Sequence, residues 1–134
     1  MELADKIRRA KRVYLIGNGG SYANAAHICN DLVAANIRAA VLDAATLTAI
    51  ANDHGYEAVF SCWLQTVAEK GDLLIALSGS GRSANIRAAL KAAEEIGMDY
   101  ELVTDYLRTR DMQQSEEDQL VLGHQVMNQL RSAK

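Results

Sequence analysis

Four short apolar runs alternate with stretches of helical spacing, and that alternation limits the chain to few folds. The runs are Val13–Ile16, Ala39–Leu42, Leu73–Leu77 and the weaker Leu102–Val103. They are apolar nearly throughout, as expected of strands buried on both faces. Helical patterns cover 21–36, short stretches around 46–51 and 56–70, then 83–96 with Gly97 as its stop, and 115–130. Ser115 and Asp118 stand at capping-box spacing before the last of these. The expectation is a single α/β domain over 1–134. It is a three-layer sandwich, doubly wound, with a mainly parallel sheet of four to five strands flanked by helices.

In such sheets ligands gather outside the carboxyl ends of the strands. Two glycine-rich turns fall there, "GNGGSY" after the first run and "SGSGRS" after the third. In the second, glycines let backbone N–H groups turn inward at a helix N-terminus, and Ser78, Ser80 and Ser83 add hydroxyl donors, which suits a phosphate. A plain turn with Ser83 as the helix N-cap explains the same residues without a ligand. No Gly-Lys-Ser/Thr follows, so the turn is not a nucleotide P-loop. In "GNGGSY", Tyr22 stands where a dinucleotide fingerprint needs its third glycine, although Asp43 ends the second strand where a ribose would sit. No nucleotide cofactor is expected.

The net charge is −3, and no basic cluster suggests nucleic acid or a membrane surface. No apolar run approaches the ~20 residues of a membrane span, and the charged opening "MELADKIRRAKR" is no signal peptide. A cytoplasmic protein is expected, with Cys29 and Cys62 as buried free thiols. His27 and Asp31, four apart, share a helix face. Glu116, Glu117 and His124 share the last helix, with Glu117 near the face of His124. Imidazole and carboxylate together suit proton transfer or a divalent metal, though spacing alone does not show that they meet.

The segments "GNGGSYANAAH", "ANDHGYEAVF", "GDLLIALSGSGRSANIRAALKAAEEIGM" and "SEEDQLVLGH" occur in the order found in sugar isomerase (SIS) domains. The chain resembles that family, most of all its phosphoheptose isomerase branch. The resemblance implies an aldose–ketose isomerase acting on a phosphorylated sugar, sedoheptulose 7-phosphate, through a cis-enediol, in heptose synthesis for surface glycans. It places Asp31 and His124 as catalytic groups without assigning base and acid between them. Substrate contacts fall on Asn18, Gly20, Ser21, Asn52, Asp53, Ser78, Gly79, Ser80, Ser83 and Asn85. Where members of the family bind zinc, its ligands match His27, Asp31 and His124, with Glu116 in the place of a glutamine, and one ion per site. The resemblance also implies a homo-oligomer, tetramer or dimer, with sites completed across subunit interfaces. A phosphosugar-binding or protein-interaction module without chemistry is the alternative.

Four departures stand out. Asp31 replaces a glutamate, and Gly79 stands where the family usually has threonine. The domain is expected to lack most of the family's N-terminal helical hairpin, and 105–114 is short for a fifth strand and its loop.

Overall fold

The computed structural model describes residues 2–104 and 112–132. In chain order the elements are α1 (Leu3–Arg9), β1 (Val13–Gly17), α2 (Gly20–Ala34), β2 (Ala39–Val41), α3 (Ala44–His54), a 3-10 turn at Tyr56–Ala58, α4 (Val59–Val67), β3 (Leu73–Leu77), α5 (Ala84–Ile96), β4 (Asp99–Val103) and α6 (Met112–Ser132). The described strands form one four-stranded sheet in the order β2-β1-β3-β4, every pair parallel. The three-layer α/β expectation is met. The expectation about 105–114 lies mostly outside the described residues.

Strand alternation divides the core in two. Val13, Leu15, Leu73, Ile75 and Leu77 face one way, onto Ile28, Cys29 and Leu32 of α2 and Val126, Met127 and Leu130 of α6. Tyr14, Ile16, Leu74 and Ala76 face the other way, onto Phe60, Trp63 and Leu64 of α4 and Ile86, Ala89 and Ala93 of α5. Tyr14 adds an edge-to-face contact with Trp63 at 5.3 Å between centroids. The helix after β1 and the helix after β3 therefore leave the sheet on opposite faces. β1 and β3 are neighbours. Their C-terminal turns, the two glycine-rich loops, meet where the winding reverses, which is where this architecture opens a crevice.

Sequence reading misplaced several boundaries. α1 lies within the charged opening stretch, its Ala4 and Ile7 buried against the α2–α6 layer. Lys6 ties α1 to the edge strand β4 through Glu101 at 3.0 Å and Asp99 at 3.7 Å, and the Glu101 contact raises the lysine's pKa. β4 starts at Asp99, three residues before the apolar pair that marked it. α6 begins at Met112, so the capping box is corrected: Ser115 lies inside the helix and is buried, and Asp118 accepts from Gln114 instead. Gly97 does stop α5, in the left-handed region at φ 90°, where glycine is favoured. Cys29 is buried, and burial pushes its thiol pKa up and keeps it unreactive; Cys62 is free but only partly buried.

Candidate functional site

The crevice between the two loops holds about 290 Å³ and is lined by Asn18, Gly19, Gly20, Ser21, Leu77, Ser78, Gly79, Ser80, Ser83, Met112 and Glu116. Gly19, at φ 56°, is the N-cap of α2 and turns the chain sharply off β1. In the serine loop, Ser78 Oγ accepts from the Gly81 N–H at 3.0 Å and Ser80 Oγ from the Arg82 N–H at 3.1 Å. Each serine oxygen spends lone-pair capacity on the loop and keeps its own hydrogen for a ligand. Ser83 is the N-cap residue of α5, but its hydroxyl makes no capping bond. The capping role given to Ser83 by the plain-turn explanation thus lacks its bond, while Ser78 and Ser80 do brace the turn.

Asn18 and Asn85 join the loops. Their side-chain amides exchange two hydrogen bonds, each 2.9 Å, and the Tyr56 hydroxyl donates to Asn18 Oδ1 at 2.9 Å. Tyr56 had no mark in the sequence as a site residue. Asn52 and Asp53, expected to touch the sugar, sit exposed at the end of α3, where Asn52 donates to Asp53 at 3.0 Å; neither lines the crevice. Asp43 accepts from the Thr46 N–H at 3.2 Å as the cap of α3, and the Thr46 hydrogen bonds hold its carboxyl below the usual range. Tyr22, in the place of the third glycine, donates its hydroxyl to the Leu42 carbonyl. Both residues that could have suggested a dinucleotide serve local structure.

A second cluster lies along the seam between α2 and α6. His27 Nε2 is 3.3 Å from His124 Nε2 and 3.5 Å from Asp31 Oδ2, and His124 Nε2 is 3.9 Å from Asp31 Oδ2. Helix spacing alone brings His27 to Asp31. The arrival of His124 depends on Gly123, where a side chain would strike Ile28: an added Cβ would lie 2.7 Å from Ile28 Cγ1. A polar ladder sets the register of the two helices. Asn24 donates to the Glu116 carbonyl at 2.7 Å and to Gln119 Oε1 at 3.0 Å, and the buried Gln119 donates to Ser21 Oγ at 3.1 Å. Asn24 and Gln119 were missed in sequence because their partners stand more than ninety residues away. A polar residue on a helix face otherwise buried was the only available signal.

Among the described residues, only His27, Asp31 and His124 form a group of potential metal donors within 4.8 Å of one another. Two imidazoles and a carboxylate are a zinc-type donor set. Zinc–nitrogen bonds of about 2.0–2.1 Å in a tetrahedron put donor atoms about 3.3 Å apart, the observed spacing of the two imidazole nitrogens. Glu116 is not in this group, which corrects the expectation of a four-residue set. It precedes His124 by two helical turns, about 12 Å of rise. Its carboxylate instead lies against Gly20, 2.2 Å from where a Cβ would stand, at the N-terminus of α2. A carboxylate is favoured there by the helix dipole.

Residues 2–101 match the family model described as SIS domain. The chain belongs to the SIS domain family. Its relatives include the phosphoheptose isomerase of Campylobacter concisus, 38% identical over 104 residues, covering 72% of this chain and 55% of that one. That of Burkholderia pseudomallei is 44% identical over 100 residues, covering 69% and 51%. The chain thus spans about half the length of these curated relatives. The structure of phosphoheptose isomerase from Neisseria gonorrhoeae superposes with a TM-score of 0.90 at 27% identity, covering 97% of this chain and 81% of that one. Among the described residues no helix is long and apolar enough to cross a membrane.

Proposed function

We propose that this SIS domain is a phosphosugar aldose–ketose isomerase acting on sedoheptulose 7-phosphate. The observation that carries the reading is the meeting of His27, Asp31 and His124 on the seam that starts at the serine-loop crevice. His27 follows Gly20 by seven residues of α2, about 10 Å of rise. An extended seven-carbon chain spans about 8 Å from its phosphate ester to the carbonyl end, at roughly 1.2 Å per bond. That length suits a phosphate in the serine loop and a carbonyl at the cluster.

In this reading the serine hydroxyls and the N-terminus of α5 fix the phosphate, and that remote binding energy holds the sugar in place. Of Asp31 and His124, one removes the proton from the carbon next to the carbonyl and the other moves a proton between the two oxygens. His27, Asp31 and His124 would hold a zinc ion, which would polarise the carbonyl. Asn24 and Gln119 keep α6 in register, so that His124 stays beside Asp31.

The chain is also proposed to act as a homo-oligomer. Val121 on α6 is 54% exposed and Val33 on α2 is 53% exposed, large apolar side chains on the outer faces of the two helices that carry the cluster. Val126, Met127 and Leu130, by contrast, already pack on the chain's own sheet. Light scattering at micromolar concentration should give a dimer or a tetramer; a monomer contradicts this.

The test of function is turnover of sedoheptulose 7-phosphate with and without zinc, by wild type and by His124→Ala. Wild type should convert it and His124→Ala should bind it without turnover. Binding by both with turnover by neither would replace the isomerase with a phosphosugar-binding module.

A further inference from the structure

The first turn of α6 lies across both glycine loops. Met112, Ser115 and Glu116 share one helix face, with Glu116 over Gly20 and the other two over Gly79. A Cβ at position 79 would lie 3.0 Å from Ser115 Oγ and 3.2 Å from Met112 Sδ. Absence of a side chain at Gly79 is what admits this turn of α6, and the first polar atom beyond Gly79 is the Ser115 hydroxyl.

That hydroxyl is anomalous. Ser115 is 3% exposed, and its Oγ is buried with no hydrogen-bond partner. A serine within a helix commonly bonds back to the preceding turn, and a buried hydroxyl left without a partner costs stability. Such a group calls for a reason. Ser115 does not itself line the crevice; it lies between Met112 and Glu116, which do, and it faces Gly79 of the loop.

We propose that Ser115 is a further anion-binding residue, a hydroxyl supplied by α6 to the serine loop at Gly79, a loop position that has none of its own. A small outward shift of the first turn of α6 would uncover Ser115 Oγ to a phosphate oxygen seated over Gly79, which would then be its missing partner alongside Ser78, Ser80 and Ser83. The proposal rests on the phosphate-binding reading of the crevice and adds a donor from a different element. It also couples occupancy of the loop to the position of α6, the helix that carries His124.

The experiment is calorimetric titration of the full chain with inorganic phosphate, comparing wild type with Ser115→Ala, Ser115→Cys and Ser80→Ala. Ser115→Cys keeps the side-chain volume and replaces a strong donor with a weak one. Both Ser115 variants should bind phosphate about tenfold more weakly, as expected for loss of a hydrogen bond to a charged group. Wild-type affinity in both overturns the proposal, as does weakening in Ser115→Ala alone, which would mark a packing effect. If Ser80→Ala weakens binding while both Ser115 variants do not, the crevice reading stands and this inference falls. A wild-type protein that binds no phosphate overturns both.

Discussion

Gly123 of α6 rests on Ile28 of α2 so closely that a Cβ at 123 would meet Ile28 Cγ1 at 2.7 Å and Cδ1 at 2.9 Å. His124 is the next residue, so this contact sets how near its ring comes to His27, with centroids 5.4 Å apart. Gly123→Val should destabilise the fold by about 1–3 kcal/mol through overpacking. It should also weaken zinc binding, because α6 must move outward. Chemical denaturation and a zinc titration read the two effects. A variant that folds with wild-type stability and zinc affinity would show that Gly123 does not hold the seam.

Glu116 places a carboxylate at the N-terminus of α2, inside the crevice assigned to phosphate. Two like charges about 4 Å apart repel by about 1 kcal/mol even in water-like surroundings. Glu116→Gln should therefore bind inorganic phosphate about fivefold more tightly. The difference should shrink as salt is raised. Unchanged affinity at low salt would mean that the carboxylate turns away when phosphate arrives.

Asp31 lies 3.9 Å from His124 Nε2, beyond hydrogen-bond distance, and its side chain is 23% exposed. One more methylene adds about 1.5 Å of reach, and catalysis is sensitive to displacements of that size. Asp31→Glu should raise kcat for the sugar phosphate several-fold with KM little changed, since the phosphate is held elsewhere. A fall in kcat would mean that the cluster is built around the shorter side chain.

Local pattern carried part of this structure and long-range packing the rest. β3 and its serine loop were legible to the residue, because Leu73–Leu77 is wholly apolar and ends abruptly in serine and glycine. Most of β4 was hidden, because Asp99 and Glu101 on this edge strand pair with Lys6 rather than the core. α1 was hidden by charge, since only Ala4 and Ile7 of its seven residues are buried. His27 and Asp31 followed from helical spacing. Their meeting with His124 follows from Gly123, Ile28 and the Asn24–Gln119 ladder, which link positions about 95 apart in the chain. The resemblance to SIS domains supplied that pairing in advance. It also put Glu116 with the cluster, whereas the side chain turns to Gly20.

Isomerisation through an enediol must break a carbon–hydrogen bond next to the carbonyl, and the proton removed exchanges with solvent. Proton NMR of sedoheptulose 7-phosphate in D2O with the zinc-loaded wild-type chain tests this directly, with His124→Ala as the comparison. The proposed function predicts loss of the signal from one of the two hydrogens at C1 as deuterium enters, together with a growing aldose signal, and neither change with His124→Ala. Bound sugar phosphate that keeps both of its C1 hydrogens in the wild type would contradict it.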